Sequence, residues 1–287
     1  MFDRHYPHWP PGLPKTFEVT SASIYANLAD GAARHPDTAA IYYYGTRVSY
    51  AELKRQADAL AGWLQKQGVK KGDRVLLYLQ NCPQFVISYY AILRADAVVV
   101  PVNPMNLTEE LHHYVDDADT EVGIAGQERY SQIEPLVGKT KLKKVLVATY
   151  SDYLPAKLEF PVPDFVKAPR ERREGVESWS EAIAAGLVPS EHRAGPEDLA
   201  VMPYTSGTTG KPKGCIHAHR NVQATTSAYL QWRGTTDPGS VTLSALPMFH
   251  VTGMQAGMNG PIFRGSTIAI MSRRCRSRNV RSANSQS

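Results

Sequence analysis

The sequence predicts an α/β fold in which parallel or mixed sheets are flanked by helices. From about residue 49 onward, short apolar runs alternate with segments of helical periodicity. The runs Val75–Leu79 (VLLYL) and Ala97–Val102 (AVVVPV) are apolar throughout, which is typical of strands buried on both faces. Buried strands that alternate with helices indicate parallel βαβ units.

Capping and turn residues place the boundaries of individual elements. Ser49-Tyr50-Ala51-Glu52 has the pattern of a capping box at a helix start, and Gly68 stands where a C′ glycine ends that helix. Pro83 suits the first turn of the next helix. Further strands are predicted over 122–125, 145–148, 198–204, 215–219, 241–246 and 267–271, and further helices begin near 108, 128, 179 and 221.

Composition and length favour an ordinary globular protein. With 43% hydrophobic and 21% charged residues, the chain is not expected to be disordered throughout, collagen-like or a coiled coil. Its 287 residues suit about two domains or one large one. We predict an irregular lead-in over 1–20, a body over 21–271 with an irregular connection at about 150–195, and an unstructured tail over 272–287 rich in arginine and serine.

The net charge of +5 is carried by the tail, which holds five arginines and no acid. The rest of the chain therefore has a net charge of zero. A basic surface that favours nucleic acid is therefore expected only in the tail. The three cysteines are too few and too scattered for a disulfide framework. No signal peptide and no apolar run of about 18 residues is present, which predicts a cytoplasmic protein.

The densest chemical signal is the segment 204–214, which reads YTSGTTGKPKG between two predicted strands. Its glycines allow a tight turn and a close approach to a ligand. Its hydroxyls, backbone N–H groups and two lysines suit a polyphosphate. It is not a Walker A loop, because Pro212 follows Gly210-Lys211 where that motif requires Ser or Thr. The alternative is a flexible Gly/Thr/Ser surface loop without a ligand.

This segment resembles the phosphate loop of the adenylate-forming acyl-CoA synthetase superfamily. The match comprises TSGTTGKPKG and the following His-x-His-Arg-Asn at 217–221. Four further stretches are similar to motifs of that family, and the resemblance covers about residues 20–272. These stretches are TRVSYAEL at 46–53, KGDRV at 71–75, PVNP at 101–104 and LPMFHVTG at 246–253.

The resemblance implies ATP-dependent activation of a carboxylic acid, most simply a fatty acid, through an acyl-adenylate to a CoA thioester. ATP, Mg²⁺ and coenzyme A are the implied cofactor and co-substrates. His250 and Gly253 are implied to line the acyl or adenylate pocket. The implied ligands of the ATP phosphates are Thr205, Ser206, Gly207, Thr208, Thr209, Gly210 and Lys213.

Other interpretations of individual residues stay open at this point. For His250 the alternative is an ordinary loop histidine with a backbone partner, but its Pro-x-Phe-His context favours the site. Met254 and Met258 could line the acyl pocket, but plain core is favoured for them. Cys215, His217 and His219 alternate as zinc ligands on one strand face do, but a fourth ligand is not apparent, so we expect no metal site. The acids Asp116, Asp117 and Asp119 are interpreted as a solvated helix end.

The sequence also departs from the family. The Tyr-Gly-x-Thr-Glu motif, including the glutamate that would hold Mg²⁺, and the lysine of a C-terminal domain have no counterpart, so no catalytic residue is assigned. We therefore expect a truncated or frameshifted ligase that is inactive alone. Two alternatives are a nucleotide-binding or regulatory fragment, and an arginine-rich tail that binds nucleic acid or an acidic surface. We expect no specific nucleic-acid partner, and self-association through an exposed sheet edge.

Overall fold

A computed structural model describes residues 4–205, 210–233 and 239–272 of the chain. These residues form helices packed on two sheets, together with a separate two-stranded hairpin. The helices are α1 (Ile24–Arg34), α2 (Tyr50–Lys66), α3 (Pro83–Arg94), α4 (Thr108–Asp117), α5 (Tyr130–Ile133), α6 (Asp164–Lys167), α7 (Trp179–Ala184), α8 (His219–Arg233), α9 (Val251–Met254) and α10 (Gly260–Arg264). The strands are β1 (Ala39–Tyr43), β2 (Thr46–Ser49), β3 (Arg74–Tyr78), β4 (Val98–Pro101), β5 (Val122–Gly126), β6 (Lys144–Ala148), β7 (Leu199–Val201), β8 (Tyr204–Thr205), β9 (Lys213–Gly214), β10 (His217–Ala218), β11 (Val241–Ser244) and β12 (Thr267–Ile270).

The larger sheet has six strands in the order β10-β7-β4-β3-β5-β6. Strands β7, β4, β3, β5 and β6 are parallel, and β10 pairs antiparallel with β7 at the edge. This mixed sheet flanked by helices confirms the predicted fold class.

Apolar strands bury both faces of this sheet. In β3, Val75 and Leu77 belong to one core cluster, and Leu76 and Tyr78 belong to the other. The first cluster includes residues of α2 and α3, and the second includes residues of α4 and α5. The two faces are therefore each covered by helices, as the unbroken apolar runs predicted.

The smaller sheet has four strands in the order β11-β12-β1-β2. Strands β11, β12 and β1 are parallel, and β2 is antiparallel to β1. Among the described residues, β11 has a strand partner on one side only, and its Val241 and Leu243 are 57% and 61% exposed. The expected exposed edge is present, and self-association through it remains a prediction.

The predicted irregular connection contains short helices. Between 150 and 195 the chain forms α6 and α7, and α7 begins at a capping box in which Ser178 Oγ accepts a hydrogen bond from the Glu181 N–H. At the boundary between the predicted body and the predicted tail, Ser272 is buried, and its hydroxyl lies 2.8 Å from the Tyr43 hydroxyl. The rest of the predicted tail, 273–287, lies outside the described residues. No helix in the described ranges combines the length and apolarity needed to cross a bilayer.

Candidate functional site

The candidate phosphate loop is carried by the hairpin of β8 and β9. Tyr204 pairs with Gly214, and Thr205 pairs with Lys213. The sequence predicts one strand over 198–204, which the structure divides into β7 and β8. It predicts a second strand over 215–219, of which only β10 is a strand, since β9 lies before this range and His219 begins α8. Pro203 separates β7 from β8 because it has no N–H to donate to a ladder, whereas its carbonyl accepts from the Cys215 N–H at 2.8 Å.

Three of the predicted phosphate ligands lie in described positions. Thr205, Gly210 and Lys213 are all exposed, with Thr205 and Lys213 opposite one another in the hairpin. The other four, Ser206, Gly207, Thr208 and Thr209, lie outside the described residues, so their role remains a prediction. The hairpin thus presents one hydroxyl and one ammonium group together at the stem of the loop.

Gly214 has a packing reason to be glycine. A Cβ at this position would stand 2.2 Å from the Met202 methyl group and 3.3 Å from the Tyr204 ring. Met202 and Tyr204 in turn pack against the second core cluster. The stem of the loop is therefore seated on the core, while the side chains of Thr205 and Lys213 point to solvent.

Two contacts to α4 hold the hairpin, and neither was foreseen from the sequence. The Tyr204 hydroxyl donates to Asp117 Oδ2 at 2.6 Å, and His113 Nε2 donates to the Pro212 carbonyl oxygen at 2.8 Å. The interpretation of the acids at the end of α4 as solvent-exposed is correct for Asp117, but it missed the tyrosine that this carboxylate binds. The only sequence signal for Tyr204 was its place at the head of the motif.

His250 and Gly253 lie on a different element from the hairpin. His250 is exposed and caps α9, where its Nδ1 accepts a long hydrogen bond of 3.4 Å from the Thr252 N–H. Gly253 is buried, and a Cβ there would stand 2.1 Å from the Pro247 carbonyl oxygen. The predicted pocket pair is therefore brought together in one tight loop, and the described residues show no hydrogen bond between it and the hairpin.

The residues after Gly253 belong to the core. Met254 and Met258 are almost fully buried in the first cluster, which confirms the core interpretation of these methionines. Between α9 and α10 the chain makes a π-helical turn, Gln255–Asn259. Its Asn259 accepts from the Tyr90 hydroxyl at 3.0 Å, so the turn is fixed by buried hydrogen bonds.

The alternating Cys215, His217 and His219 do not converge as ligands. His219 is 1% exposed, and its Nδ1 accepts a hydrogen bond of 3.0 Å from the Ile24 N–H at the start of α1. Burial lowers the pKa of His219 to about 4, so its ring is neutral at physiological pH. Cys215 instead contacts the Thr205 hydroxyl, with 3.9 Å between Sγ and Oγ1. Within the described ranges, no three His, Cys, Asp or Glu side chains are grouped to hold an ion.

Helices lie on both faces of a mostly parallel sheet, and an attached hairpin carries the described ends of the Gly/Thr/Lys segment, which places the chain in the α/β class. Comparison with protein families identifies the family within this class. The chain belongs to the family of AMP-binding enzymes, whose model matches residues 28–283.

Relatives within this family are acid:CoA ligases by name. The long-chain-fatty-acid–CoA ligase of Bacillus subtilis is 32% identical over 276 residues, which cover 92% of this chain and 48% of the relative. 4-Coumarate–CoA ligase 3 of Oryza sativa is 26% identical over 230 residues, covering 79% of this chain and 38% of the relative. The chain thus spans about half the length of the curated relatives it matches.

A solved structure shares the fold. The crystal structure of a long-chain-fatty-acid–CoA ligase from Archaeoglobus fulgidus superposes with a TM-score of 0.75 at 24% identity. The match covers 92% of this chain and 50% of that one. At this level of identity, the likeness concerns the fold.

Proposed function

We propose that this chain supplies the ATP-phosphate-binding part of an acid:CoA ligase. In the proposed reaction, a carboxylate oxygen attacks the α-phosphorus of ATP and releases pyrophosphate, leaving an acyl-adenylate. The thiol of coenzyme A then attacks the acyl carbon and releases AMP. Family membership and the names of the relatives support this assignment.

The observation that carries the proposal is the pairing of Thr205 with Lys213. This register places a hydroxyl donor and a cation on adjacent strands, exposed at the stem of a Gly/Thr-rich loop. Phosphate oxygens are bound by such donors, and transfer at phosphorus asks the protein chiefly for positioning and charge stabilisation. Thr205 and Lys213 therefore fit the β- and γ-phosphates, together with the loop residues between them.

A fatty acid is the proposed acid. The first relatives are named for long-chain fatty acids, whereas the rice relative is named for 4-coumarate. The stretch Phe249–Met254 around His250 is mostly apolar, which suits an alkyl chain. Competition between palmitate and 4-coumarate for binding to the purified chain, measured by titration calorimetry, would decide between the two acid classes.

We further propose that these 287 residues bind nucleotide but catalyse neither the adenylation step nor the transfer to coenzyme A. No residue of the sequence matches the glutamate that would hold Mg²⁺ or the lysine that would act during adenylation. No step is therefore assigned to Mg²⁺ in this chain. Exchange of labelled pyrophosphate into ATP, measured on the purified chain with a fatty acid, would contradict this part of the proposal.

The test of the site is ATP binding by titration calorimetry in the presence of Mg²⁺. We expect Lys213→Ala and Thr205→Val each to weaken ATP binding about tenfold, because each removes a charge-assisted contact to phosphate. Lys139→Ala, at an exposed lysine outside the hairpin, is the matched control and should leave affinity unchanged. Equal affinity of all three variants and the parent chain would refute the site.

A further inference from the structure

One face of α4 holds both arms of the hairpin. Tyr204, whose hydroxyl donates to Asp117, lies on β8, the first arm of the hairpin. Pro212, whose carbonyl accepts from His113, directly precedes β9, the second arm. Residues 113 and 117 are four positions apart, so their side chains are neighbours one helical turn apart. A single helix therefore sets the position of the incoming and returning strands at once.

Helix α4 is itself fixed to the larger sheet. Its Leu111, Tyr114 and Val115 are buried in the second core cluster. The Tyr114 hydroxyl accepts from Asn106 Nδ2 at 2.9 Å, and the Asn106 carbonyl accepts from the Tyr78 hydroxyl at 2.6 Å. Since Tyr78 ends β3, hydrogen bonds connect the central strand of the sheet with the helix that carries His113 and Asp117.

The chemistry of the two contacts suits a lasting anchor. Burial and the adjacent Asp117 carboxylate raise the pKa of Tyr204, so its hydroxyl stays protonated and donates. A hydrogen bond to a carboxylate is stronger than one between neutral groups. The Tyr204 ring also packs on Tyr114, with 4.5 Å between ring centroids.

We propose that Asp117 and His113 are positioning residues for the phosphate site, because they hold the hairpin in the arrangement that presents Thr205 and Lys213 to ATP. This inference rests on the proposed function. Neither residue needs to touch the nucleotide, since a stem that is ordered in advance lowers the ordering cost of binding. The competing view is that both contacts are surface hydrogen bonds without consequence for the ligand.

Affinity for ATP with Mg²⁺, measured by calorimetry on the full chain, tests the inference. Asp117→Ala and His113→Ala are each expected to weaken binding roughly three- to tenfold, as the loss of one anchoring hydrogen bond implies. Asp117→Asn keeps an acceptor for Tyr204, and His113→Gln keeps an N–H donor for Pro212. These conservative variants should restore the affinity of the parent chain to within about twofold.

The neighbouring pair His112 and Asp116 gives a matched control. These residues are exposed on the same helix and pair with each other, 3.4 Å apart, not with the hairpin. His112→Ala and Asp116→Ala should leave ATP affinity unchanged. If Asp117→Ala and His113→Ala bind ATP as tightly as the parent chain does, the inference is overturned. A failure of the conservative variants to restore binding would overturn it as well.

Amide hydrogen exchange of β8 and β9 without nucleotide separates this inference from the proposed function. Faster exchange is expected in Asp117→Ala and His113→Ala, and parent-like exchange in the conservative and control variants. If the parent chain binds no ATP, the proposed function fails, and exchange alone shows whether α4 orders the hairpin. Unchanged exchange in both alanine variants would overturn the anchoring itself.

Discussion

Asn81 Oδ1 accepts a hydrogen bond of 2.8 Å from the Met248 N–H, which lies 167 positions further along the chain. The Asn81 Nδ2 donates to the Leu246 carbonyl at 2.8 Å. Asn81 follows β3 of the larger sheet, and residues 246–248 lead from β11 of the smaller sheet to His250. One buried amide therefore joins the end of β3 to the segment that positions His250.

Removing this amide should destabilise the fold. Asn81→Ala leaves the Met248 N–H and the Leu246 carbonyl without these partners, and we expect a loss of about 2–4 kcal/mol in the free energy of unfolding. Urea denaturation measures it. Lys66→Ala, at an exposed position on α2, should change stability by less than about 0.5 kcal/mol. If Asn81→Ala also changed the free energy of unfolding by less than about 0.5 kcal/mol, Asn81 would not be what joins β3 to the His250 segment.

Local rules explain why α2 could be predicted from the sequence. Ser49 is the N-cap, and its Oγ accepts from the Glu52 N–H at 3.2 Å. The Glu52 carboxylate forms an ion pair with Arg55, so only half of the capping box forms. Gly68 adopts the expected left-handed conformation, with φ of +94°. Each of these features depends on residues within a few positions of one another.

Contacts between distant segments explain what the sequence did not predict. Tyr204 and Asp117 are 87 positions apart, and only the packing of α4 beside the hairpin brings them together. Asn81 and His219 likewise show no pattern that reveals their partners. The loop motif could be recognised, but its supports are isolated polar residues whose roles depend on the tertiary fold.

Glu128 should make stability fall as pH rises. Its Oε1 accepts from the Tyr150 hydroxyl at 2.9 Å, and Oε2 is buried without a hydrogen-bond partner among the described residues. Burial raises the pKa of Glu128 from 4.5 to about 7. The folded chain therefore binds this proton more tightly than the unfolded chain. This tighter proton binding adds up to about 3 kcal/mol to the free energy of unfolding. The added stability is fully present below pH 4.5 and is lost as pH rises through 7.

Glu128→Gln isolates this effect, because the amide keeps an oxygen for Tyr150 and does not titrate. We expect the variant to gain stability relative to the parent chain by about 2–3 kcal/mol between pH 5 and pH 8. Urea denaturation at pH 5, 6.5 and 8 measures the difference. Glu134→Gln, at an exposed glutamate, should track the parent chain. Parallel stability profiles for Glu128→Gln and the parent would refute the prediction.

His219 should act in the opposite direction. Burial lowers its pKa from 6.5 to about 4, with His192 adding to the shift and Asp198 and Asp96 opposing it. Neutral His219 therefore contributes up to about 3 kcal/mol to the free energy of unfolding. This stability is present above pH 6.5 and is lost as pH falls toward 4. Protonation of Nδ1 removes the acceptor for the Ile24 N–H.

His219→Asn keeps an acceptor that does not titrate, so its stability relative to the parent chain should improve as pH falls from 7 to 4.5. Thermal unfolding across this range measures the change. His112→Asn, at an exposed histidine, is the control and should show no such trend. If His219→Asn and the parent lose stability equally in acid, another group is responsible for the acid sensitivity.

Gly253→Ala tests the tight loop that carries His250. The new methyl group would stand 2.1 Å from the Pro247 carbonyl and 2.9 Å from the Leu246 carbonyl, so the backbone must shift. Overpacking of this kind costs about 1–3 kcal/mol, measurable by urea denaturation. Gly195→Ala is the control, because a Cβ there would have an Asp198 oxygen as its nearest neighbour, at an ordinary 3.8 Å.

The backbone shift in Gly253→Ala would also displace Leu246 from Asn81. The losses in the free energy of unfolding caused by Gly253→Ala and Asn81→Ala should therefore be less than additive in the double variant. Full additivity would show that the two residues support the His250 loop independently.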